Sequence, residues 1–155
     1  IKPVRKLISK YLQEGKWLDP FSRNSPFADL CITNDLNPEF LSDYNLESLE
    51  FLKLFDNGSI DGVLFDPPYS PRQISECYKS IGRDVHMTDT QSSFYGDRKK
   101  EVSRVVKEGG TVISFGWNSQ GIGKTRGFEI IEIMLVAHGG AHNDTICTVE
   151  RKVKT

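Results

Sequence analysis

The feature that most constrains this chain is an apolar run, Gly62-Val63-Leu64-Phe65, that stops in Asp66-Pro67-Pro68-Tyr69. The run predicts a buried strand, and the prolines stiffen the backbone after it because their rings hold φ at about −65°. Neither proline has an N–H, so the carbonyls around them can accept hydrogen bonds from a ligand. The Asp66 carboxylate and the Pro67 carbonyl can hold the two hydrogens of a planar amino group, and the Tyr69 ring can stack on a flat base. These four residues therefore predict a site for an exocyclic amine.

The remaining sequence alternates short apolar runs with amphipathic segments, which favours a parallel sheet with helices on its faces. Only His138–Asp144 separates the last two predicted strands, and a connection that short cannot cross over a sheet, so they must form an antiparallel hairpin. We expect an α/β fold whose mostly parallel sheet ends in an antiparallel hairpin strand. The predicted strands are Trp17–Phe21, Cys31–Asp35, one reaching Glu47, Gly62–Asp66, Thr111–Phe115, Glu129–Ala137 and Thr145–Val153. The predicted helices are Pro3–Leu12, Leu46–Phe55 and Ser93–Lys107, with a short helix or irregular segment at Pro71–Ile81.

Length and composition predict a single domain over residues 1–155 that needs no membrane partner. No apolar run approaches the roughly 20 residues that span a bilayer, and the N-terminus does not resemble a signal peptide. Three scattered cysteines suit the reduced thiols of a cytoplasmic protein. The net charge of −1 argues mildly against strong stand-alone binding of a polyanion, which depends on Lys and Arg. Basic clusters such as Arg98-Lys99-Lys100 and Lys124/Arg126 are interpreted first as ordinary solvated surface.

The strand-end tetrapeptide resembles the (D/N/S)-P-P-(Y/F/W) motif of the amino-methyltransferases that modify adenine or cytosine in DNA with S-adenosylmethionine. Four further segments are similar to parts of that family and occur in the order that the family requires. They are Trp17-Leu18-Asp19-Pro20-Phe21 (the cofactor motif), Thr33-Asn34-Asp35-Leu36-Asn37-Pro38 (the acidic end of the second strand), Leu46-Glu47-Ser48-Leu49-Glu50-Phe51-Leu52 (the segment after the third strand) and Val105–Ile113 (the helix, turn and strand after the catalytic motif). The resemblance covers nearly the whole chain and implies a Rossmann-like methyltransferase fold.

The resemblance also implies an activity, which is methyl transfer to the exocyclic amine of adenine in DNA. Its catalytic residues would be Asp66, Pro67, Pro68 and Tyr69. Hydrogen bonds to Asp66 and to the Pro67 carbonyl would localise the nitrogen lone pair for in-line attack on the methyl carbon of the sulfonium. By the family pattern, Asp in the first position goes with adenine more often than with cytosine. Stacking on Tyr69 requires an adenine that is flipped out of the duplex or single-stranded.

The resemblance further implies the residues that bind S-adenosylmethionine, namely Asp19, Pro20, Phe21, Asp35, Leu36 and Glu47. Asp35 would accept both ribose hydroxyls, and Glu47 would take the adenine amine of the cofactor. Plainer alternatives are equally open at this stage: a helix-capping loop for Asp35 and a surface glutamate for Glu47. Phe21 is a candidate core residue as well.

The chain departs from the family immediately after the cofactor motif. Ser22–Asp29 contains no glycine and leaves little room for a helix, where the family has a glycine-rich loop and a full helix. Glycine normally permits φ > 0 and a close backbone approach to the cofactor. Either the cofactor contacts a reshaped loop, or it binds weakly. A methyltransferase-like module that binds nucleic acid or a partner without cofactor is the alternative from a different functional class.

Three loops are expected to border the site, with ordinary surface loop as the alternative for each. They are His138–Asp144, Gly116–Gln120 and Arg83–Asp97, the last predicted to be a mobile loop over the target. No metal is predicted in His138–Asp144, because a flexible glycine hairpin fixes ligand geometry poorly. No separate target-recognition domain is expected. Specificity is then low, or a partner protein supplies it, or the substrate is small or single-stranded. A guanine amine in ribosomal RNA is the alternative acceptor.

Overall fold

The computed structural model describes residues 2–68, 91–139 and 144–154. Its elements in chain order are α1 (Lys2–Tyr11), β1 (Trp17–Asp19), β2 (Cys31–Thr33), α2 (Ser48–Leu52), β3 (Ile60–Phe65), α3 (Gln91–Val105), β4 (Val106–Gly116), β5 (Phe128–Val136) and β6 (Thr145–Lys152), with 3-10 turns at Ala28–Leu30 and Lys124–Arg126. The described strands form one six-stranded sheet in the order β2-β1-β3-β4-β6-β5. Strands β1 to β4 pair in parallel, and β6 is antiparallel to both of its neighbours. The predicted fold class and the C-terminal hairpin are confirmed.

Hydrophobic cores cover both faces of the sheet. Leu64 on β3 packs toward α1, whereas its neighbours Val63 and Phe65 pack toward α3, because side chains alternate along a strand. The α1 face of the sheet buries Leu7, Ile8 and Leu12 against β4 and β6, and the α3 face buries Val102 and Val105 of α3 together with Phe51 and Leu52 of α2. Of the helices described, none is long and apolar enough to cross a membrane.

The helix predicted over Ser93–Lys107 is observed as α3 over Gln91–Val105, within two residues at each end. The overlapping prediction of a mobile loop over Arg83–Asp97 is wrong for residues 91–97, which belong to this helix. Phe94 and Arg98 occupy one buried face, with the guanidinium carbon 3.7 Å from the centroid of the Phe94 ring. The buried Arg98 therefore packs within the helix rather than in a loop. The predicted segment at Pro71–Ile81 lies outside the described residues.

Smaller differences concern the strands. The strand predicted to reach Glu47 is reduced to one isolated parallel bridge between Asn34 and Tyr44. Strand β4 begins at Val106 rather than Thr111. Val106 pairs with Ile60 of β3, and the register then shifts across the Gly109-Gly110 pair before regular pairing resumes at Thr111. Gly109 has φ +83°, a conformation in which glycine is favoured.

Two connections lack the helices that parallel strands usually require. Residues 20–30 join β1 to β2 with one 3-10 turn, and residues 117–127 join β4 to β5 with another. Both connections leave the sheet at the carboxyl ends of its strands on the same side, because β1 and β4 run in the same direction. Loops therefore surround the carboxyl ends of the central strands.

Candidate active site

The candidate site lies at the carboxyl ends of β1 and β3, which are neighbours in the sheet. From this pair the chain proceeds outward to β2 on one side and to β4 on the other. A reversal of strand order of this kind opens a crevice where ligands bind in open α/β sheets. Asp19 ends β1, and Asp66 follows the last residue of β3. Two predicted site residues therefore come from adjacent strand ends.

A cavity of about 300 Å³ lies between α1 and the loop after β1, and we call it the α1-side cavity. Asp19, Phe21, Arg23 and Asp66 line it together with Arg5 and Ile8 of α1. Its volume is at the lower end of the range typical of small-molecule sites. The structure thus places Asp19, Phe21 and Asp66 around one cavity.

A second cavity, of about 540 Å³, lies on the opposite face, and we call it the α3-side cavity. Pro67 and Ser114 line it at the strand ends, α3 contributes Tyr95 and Lys99, and Gly116, Trp117, Asn118, Gln120 and Arg126 come from the end of β4 and the connection after it. The segment Gly116–Gln120, expected at the rim of the site, contributes four of these residues. Because Asp66 lines one cavity and Pro67 the other, the strand-end segment separates the two.

Tyr95 connects α3 to the strand-end segment. Its hydroxyl donates a hydrogen bond to the carbonyl of Pro68. Burial raises the pKa of Tyr95 to about 12, so the hydroxyl keeps its proton and remains a donor at neutral pH. This bond fixes the Pro67-Pro68 backbone relative to the helix. Tyr69 lies outside the described residues, and its stacking role remains a prediction.

Asp19 is the most perturbed carboxyl group of the site. It is only 4% exposed. Burial raises its pKa to about 7, with a further contribution from the negative charge of Asp66, while a hydrogen bond from the Phe21 backbone, the Arg23 charge and Ser25 oppose the shift. Near neutral pH the group is therefore poised to ionise when a cation is bound beside it.

The loop that lacks glycine keeps a glycine-like turn. Arg23 has φ +43°, and among the described residues other than glycine no second one has a positive φ. Its backbone N–H donates to Asp35 Oδ2 at 2.9 Å, and its guanidinium pairs with Asp66 Oδ2 at 3.0 Å. A left-handed conformation costs an ordinary residue about 1–2 kcal/mol, and these two contacts offset that cost. Sequence analysis missed Arg23, because its role depends on a backbone conformation that usually signals glycine.

Asp35 organises the same loop from the end of β2. Its two carboxylate oxygens accept backbone N–H groups, one from Arg23 and one from Asn37 at 2.9 Å. The bond to Asn37 caps no helix, because residues 36–47 form none, and the predicted ribose contact stays a prediction. Pro20 and Leu36 support the loop: the Pro20 carbonyl accepts the Asn34 amide at 3.2 Å, and Leu36 packs near Phe94.

Glu47 is not among the residues that line either cavity. It directly precedes α2, and its Oε2 accepts a hydrogen bond from the buried Arg98 at 3.1 Å. Arg98 also donates to Ser48 Oγ at 2.7 Å, which ties α2 to α3. The structure gives Glu47 a role in packing these helices, and its predicted contact with the cofactor adenine remains a prediction.

The described part of the chain contains no group of three or more His, Cys, Asp and Glu residues arranged to hold a metal ion. His138 contacts Thr145 Oγ1 at 2.7 Å, and the rest of the hairpin tip at 140–143 falls outside the description. Of the residues that line the cavities, sequence analysis also missed Ser114 and treated Lys99 and Arg126 as ordinary surface. Only the fold brings these three residues together.

Solved structures share this architecture over almost the whole chain. A SAM-dependent methyltransferase from Archaeoglobus fulgidus has a TM-score of 0.68 at 11% identity, covering 97% of this chain and 92% of that one. The 1,6-didemethyltoxoflavin-N1-methyltransferase of Burkholderia thailandensis, solved with 1,6-didemethyltoxoflavin and S-adenosylhomocysteine bound, has a TM-score of 0.65 at 12% identity, covering 99% and 78%. TrmN from Thermus thermophilus has a TM-score of 0.65 at 15% identity, covering 98% of this chain and 48% of that one.

No family model matches the sequence, and no curated protein matches it either. At identities of 11–15%, the similarity to solved structures establishes the fold and leaves the chemistry to be argued from the site. The chain has the fold of S-adenosylmethionine-dependent methyltransferases.

Proposed function

We propose that this protein uses S-adenosylmethionine to methylate the exocyclic amine of adenine in DNA. The observation that carries the proposal is the position of Asp66-Pro67-Pro68, which ends β3 at the reversal of strand order and separates two cavities. One cavity then serves the cofactor and the other the acceptor. An amine held by Asp66 and the Pro67 carbonyl lies at their boundary.

The α1-side cavity fits the methionine end of S-adenosylmethionine by its chemistry. That end carries an ammonium, a carboxylate and a sulfonium. Asp19 and Asp66 supply negative charge for the cations, and the Arg23 guanidinium can bind the carboxylate. A cation bound beside the buried Asp19 lowers its raised pKa and so favours the ionised carboxylate. When bound, the cofactor supplies an electrophilic methyl group on a positively charged sulfur.

The strand-end segment orients the acceptor. Asp66 and the Pro67 carbonyl accept the two amine hydrogens, which keeps the nitrogen lone pair out of conjugation with the ring. The carboxylate also stabilises the positive charge that develops on the nitrogen, and it lies near the proton that must leave. Tyr95 holds the Pro68 carbonyl and so preserves this geometry. Such positioning contributes up to roughly 7–11 kcal/mol to catalysis.

The choice of DNA adenine follows from the resemblance of the tetrapeptide, and three alternatives compete with it. A guanine amine in ribosomal RNA, a small nitrogen heterocycle and a non-catalytic binding module are all compatible with the fold. The heterocycle is favoured by the size of the α3-side cavity, about 540 Å³, which suits one flat ring system. For DNA, a protein partner that supplies sequence recognition is part of the proposal. So is a cytoplasmic location, which suits the free thiols of Cys31 and Cys147.

The proposal is tested by methyl transfer from labelled S-adenosylmethionine to single-stranded and duplex DNA, RNA and free adenosine. We expect N6-methyladenine in DNA, with the rate of its formation reduced by 100-fold or more in Asp66→Ala. Asp56→Ala, at an exposed acidic position away from the cavities, is the matched control and should leave the rate unchanged. Product on RNA or adenosine alone would replace the substrate, and no product with any acceptor would contradict the proposal.

A further inference from the structure

Two cations line the α3-side cavity from different elements. Lys99 projects from α3, and Arg126 belongs to the 3-10 turn after β4. Burial lowers the pKa of Lys99, the positive charge of Arg126 lowers it further, and Glu150 acts in the opposite direction. Two like charges at a half-buried position are unfavourable unless an anion lies between them.

Within the described residues, Glu150 is the carboxyl group that acts on the charge of Lys99, and it raises the Lys99 pKa without cancelling the lowering by burial and Arg126. The two carboxylate oxygens of Glu150 accept the backbone N–H groups of Ile122 at 2.7 Å and Gly123 at 3.0 Å, so they form no ion pair with either cation. Arg126 Nη1 donates to the Ile122 carbonyl at 3.1 Å, which leaves its other guanidinium nitrogens for a ligand. The Lys99 ammonium makes no hydrogen bond or ion pair to any residue within 2–68, 91–139 or 144–154.

A second observation independently indicates a polar ligand. Ser114 lines the same cavity, is 9% exposed, and faces Thr148 across the β4–β6 ladder. Ser114 Oγ and Thr148 Oγ1 are both buried, and neither has a hydrogen-bond partner in the structure described. Buried hydroxyls are normally satisfied by protein, water or ligand. Ser114 therefore brings to the cavity wall a hydroxyl that no described residue uses.

The spacing of Tyr95 and Lys99 along α3 indicates which kind of ligand fits the α3-side cavity. Tyr95 contacts the Pro68 carbonyl, and Lys99 lies one helical turn further along α3, about 6 Å away along the axis. Trp117, a flat aromatic surface that is 44% exposed, also lines the cavity. A matching ligand has a flat ring with an amine at one end and an anionic group at the other. A nucleotide has this form.

We propose that Lys99 and Arg126 bind the phosphate group of the nucleotide whose base carries the target amine. This inference rests on the proposed function and adds a specificity-determining contact to it. The phosphate is either a diester within a polynucleotide or the monoester of a free nucleotide. In both cases the cations select a phosphorylated acceptor over a bare base or nucleoside.

The test is equilibrium binding of a fluorescent, adenine-containing single-stranded oligonucleotide in the presence of S-adenosylhomocysteine, over a range of salt concentrations. Lys99→Gln should weaken binding by about tenfold and reduce the slope of log K against log salt by about 0.7, the value for one lost phosphate contact on a single strand. Lys100→Gln, the exposed neighbour on the same helix, is the matched control and should change neither quantity. Lys99→Arg, which keeps the charge, should restore both, and Arg126→Gln should act in the same direction as Lys99→Gln.

A second arm compares deoxyadenosine monophosphate with deoxyadenosine. If wild type prefers the monophosphate and Lys99→Gln loses that preference, a monoester is bound; if the Lys99 effect appears with the oligonucleotide alone, the phosphate is a diester. Equal affinity and slope for Lys99→Gln and Lys100→Gln, or no binding of either ligand by wild type, would overturn the inference. Failure of the proposed function has a different signature: Lys99-dependent phosphate binding persists while no methyl group is transferred.

Discussion

Asp19 makes the pH dependence of stability a sensitive probe of the site. The carboxyl group has a pKa of about 7 in the folded protein, against an ordinary value of 3.8. Above pH 4 the unfolded chain releases this proton while the native state retains it. Stability therefore falls as pH rises, and the loss is complete above the folded pKa. At 1.36 kcal/mol per pH unit, the total cost of burying Asp19 is at most ~4 kcal/mol.

Replacing Asp19 by Asn removes this titration and nearly preserves the shape of the side chain. The variant should gain stability relative to wild type as pH rises, by about 2.5 kcal/mol between pH 5 and pH 8, and the gain should level off above pH 7. Urea unfolding followed by circular dichroism at several pH values measures this difference. For Asp29→Asn, at an exposed position in the connection after β1, the difference in stability from wild type should not change with pH. A flat difference for Asp19→Asn, or a variant less stable than wild type at pH 8, would refute the reasoning.

Three further predictions concern the supports of the site. Arg23→Gly and Arg23→Ala both remove the ion pair with Asp66, but only glycine suits φ +43°, so the glycine variant should be more stable by about 1 kcal/mol in urea unfolding; equal stabilities would argue against the left-handed turn. Glu150→Gln retains one acceptor for the two backbone amides that Glu150 binds, so its free energy of unfolding in urea should be about 1–3 kcal/mol lower than that of wild type. An unchanged urea midpoint would contradict those bonds. Phe51→Ala should cost about 3–5 kcal/mol of unfolding free energy measured by calorimetry, because the ring is fully buried between α2 and the sheet, and a loss below 1 kcal/mol would exclude that packing.

The fold was largely predictable from local patterns. Strand β3 is a continuous apolar run closed by two prolines, and the final hairpin follows from the length of a single connection. The strand predicted to reach Glu47 is not a strand in the structure, where only the Asn34–Tyr44 bridge forms. Helix α3 was predicted to within two residues at each end, whereas the mobile-loop prediction for Arg83–Asp97 was wrong over residues 91–97, which belong to the helix.

The site was predictable where residues follow strand ends and not where they depend on tertiary contacts. Asp66 was predicted from its place after an apolar strand, and Asp19 from the resemblance of its segment to a cofactor motif; the structure places both at one cavity, at the carboxyl ends of adjacent parallel strands. Arg23 required knowledge of a backbone angle, and Lys99 with Arg126 required the packing of α3 beside the loop after β4. A lysine on a charged helix and an arginine in a loop carry no sequence signal that separates them from solvated surface.

The most direct test of the account is calorimetric titration of the protein with S-adenosylhomocysteine at pH 6 and pH 8. If the α1-side cavity holds the methionine end beside ionised Asp19, binding should be micromolar at pH 8 and about tenfold weaker at pH 6, since the pKa of Asp19 is about 7. Asp19→Asn should weaken binding at pH 8 by at least tenfold and remove the pH dependence, while Asp29→Asn should retain both. No binding by the folded protein, or an Asp19→Asn variant that binds as wild type does, would contradict the assignment of this cavity to the cofactor.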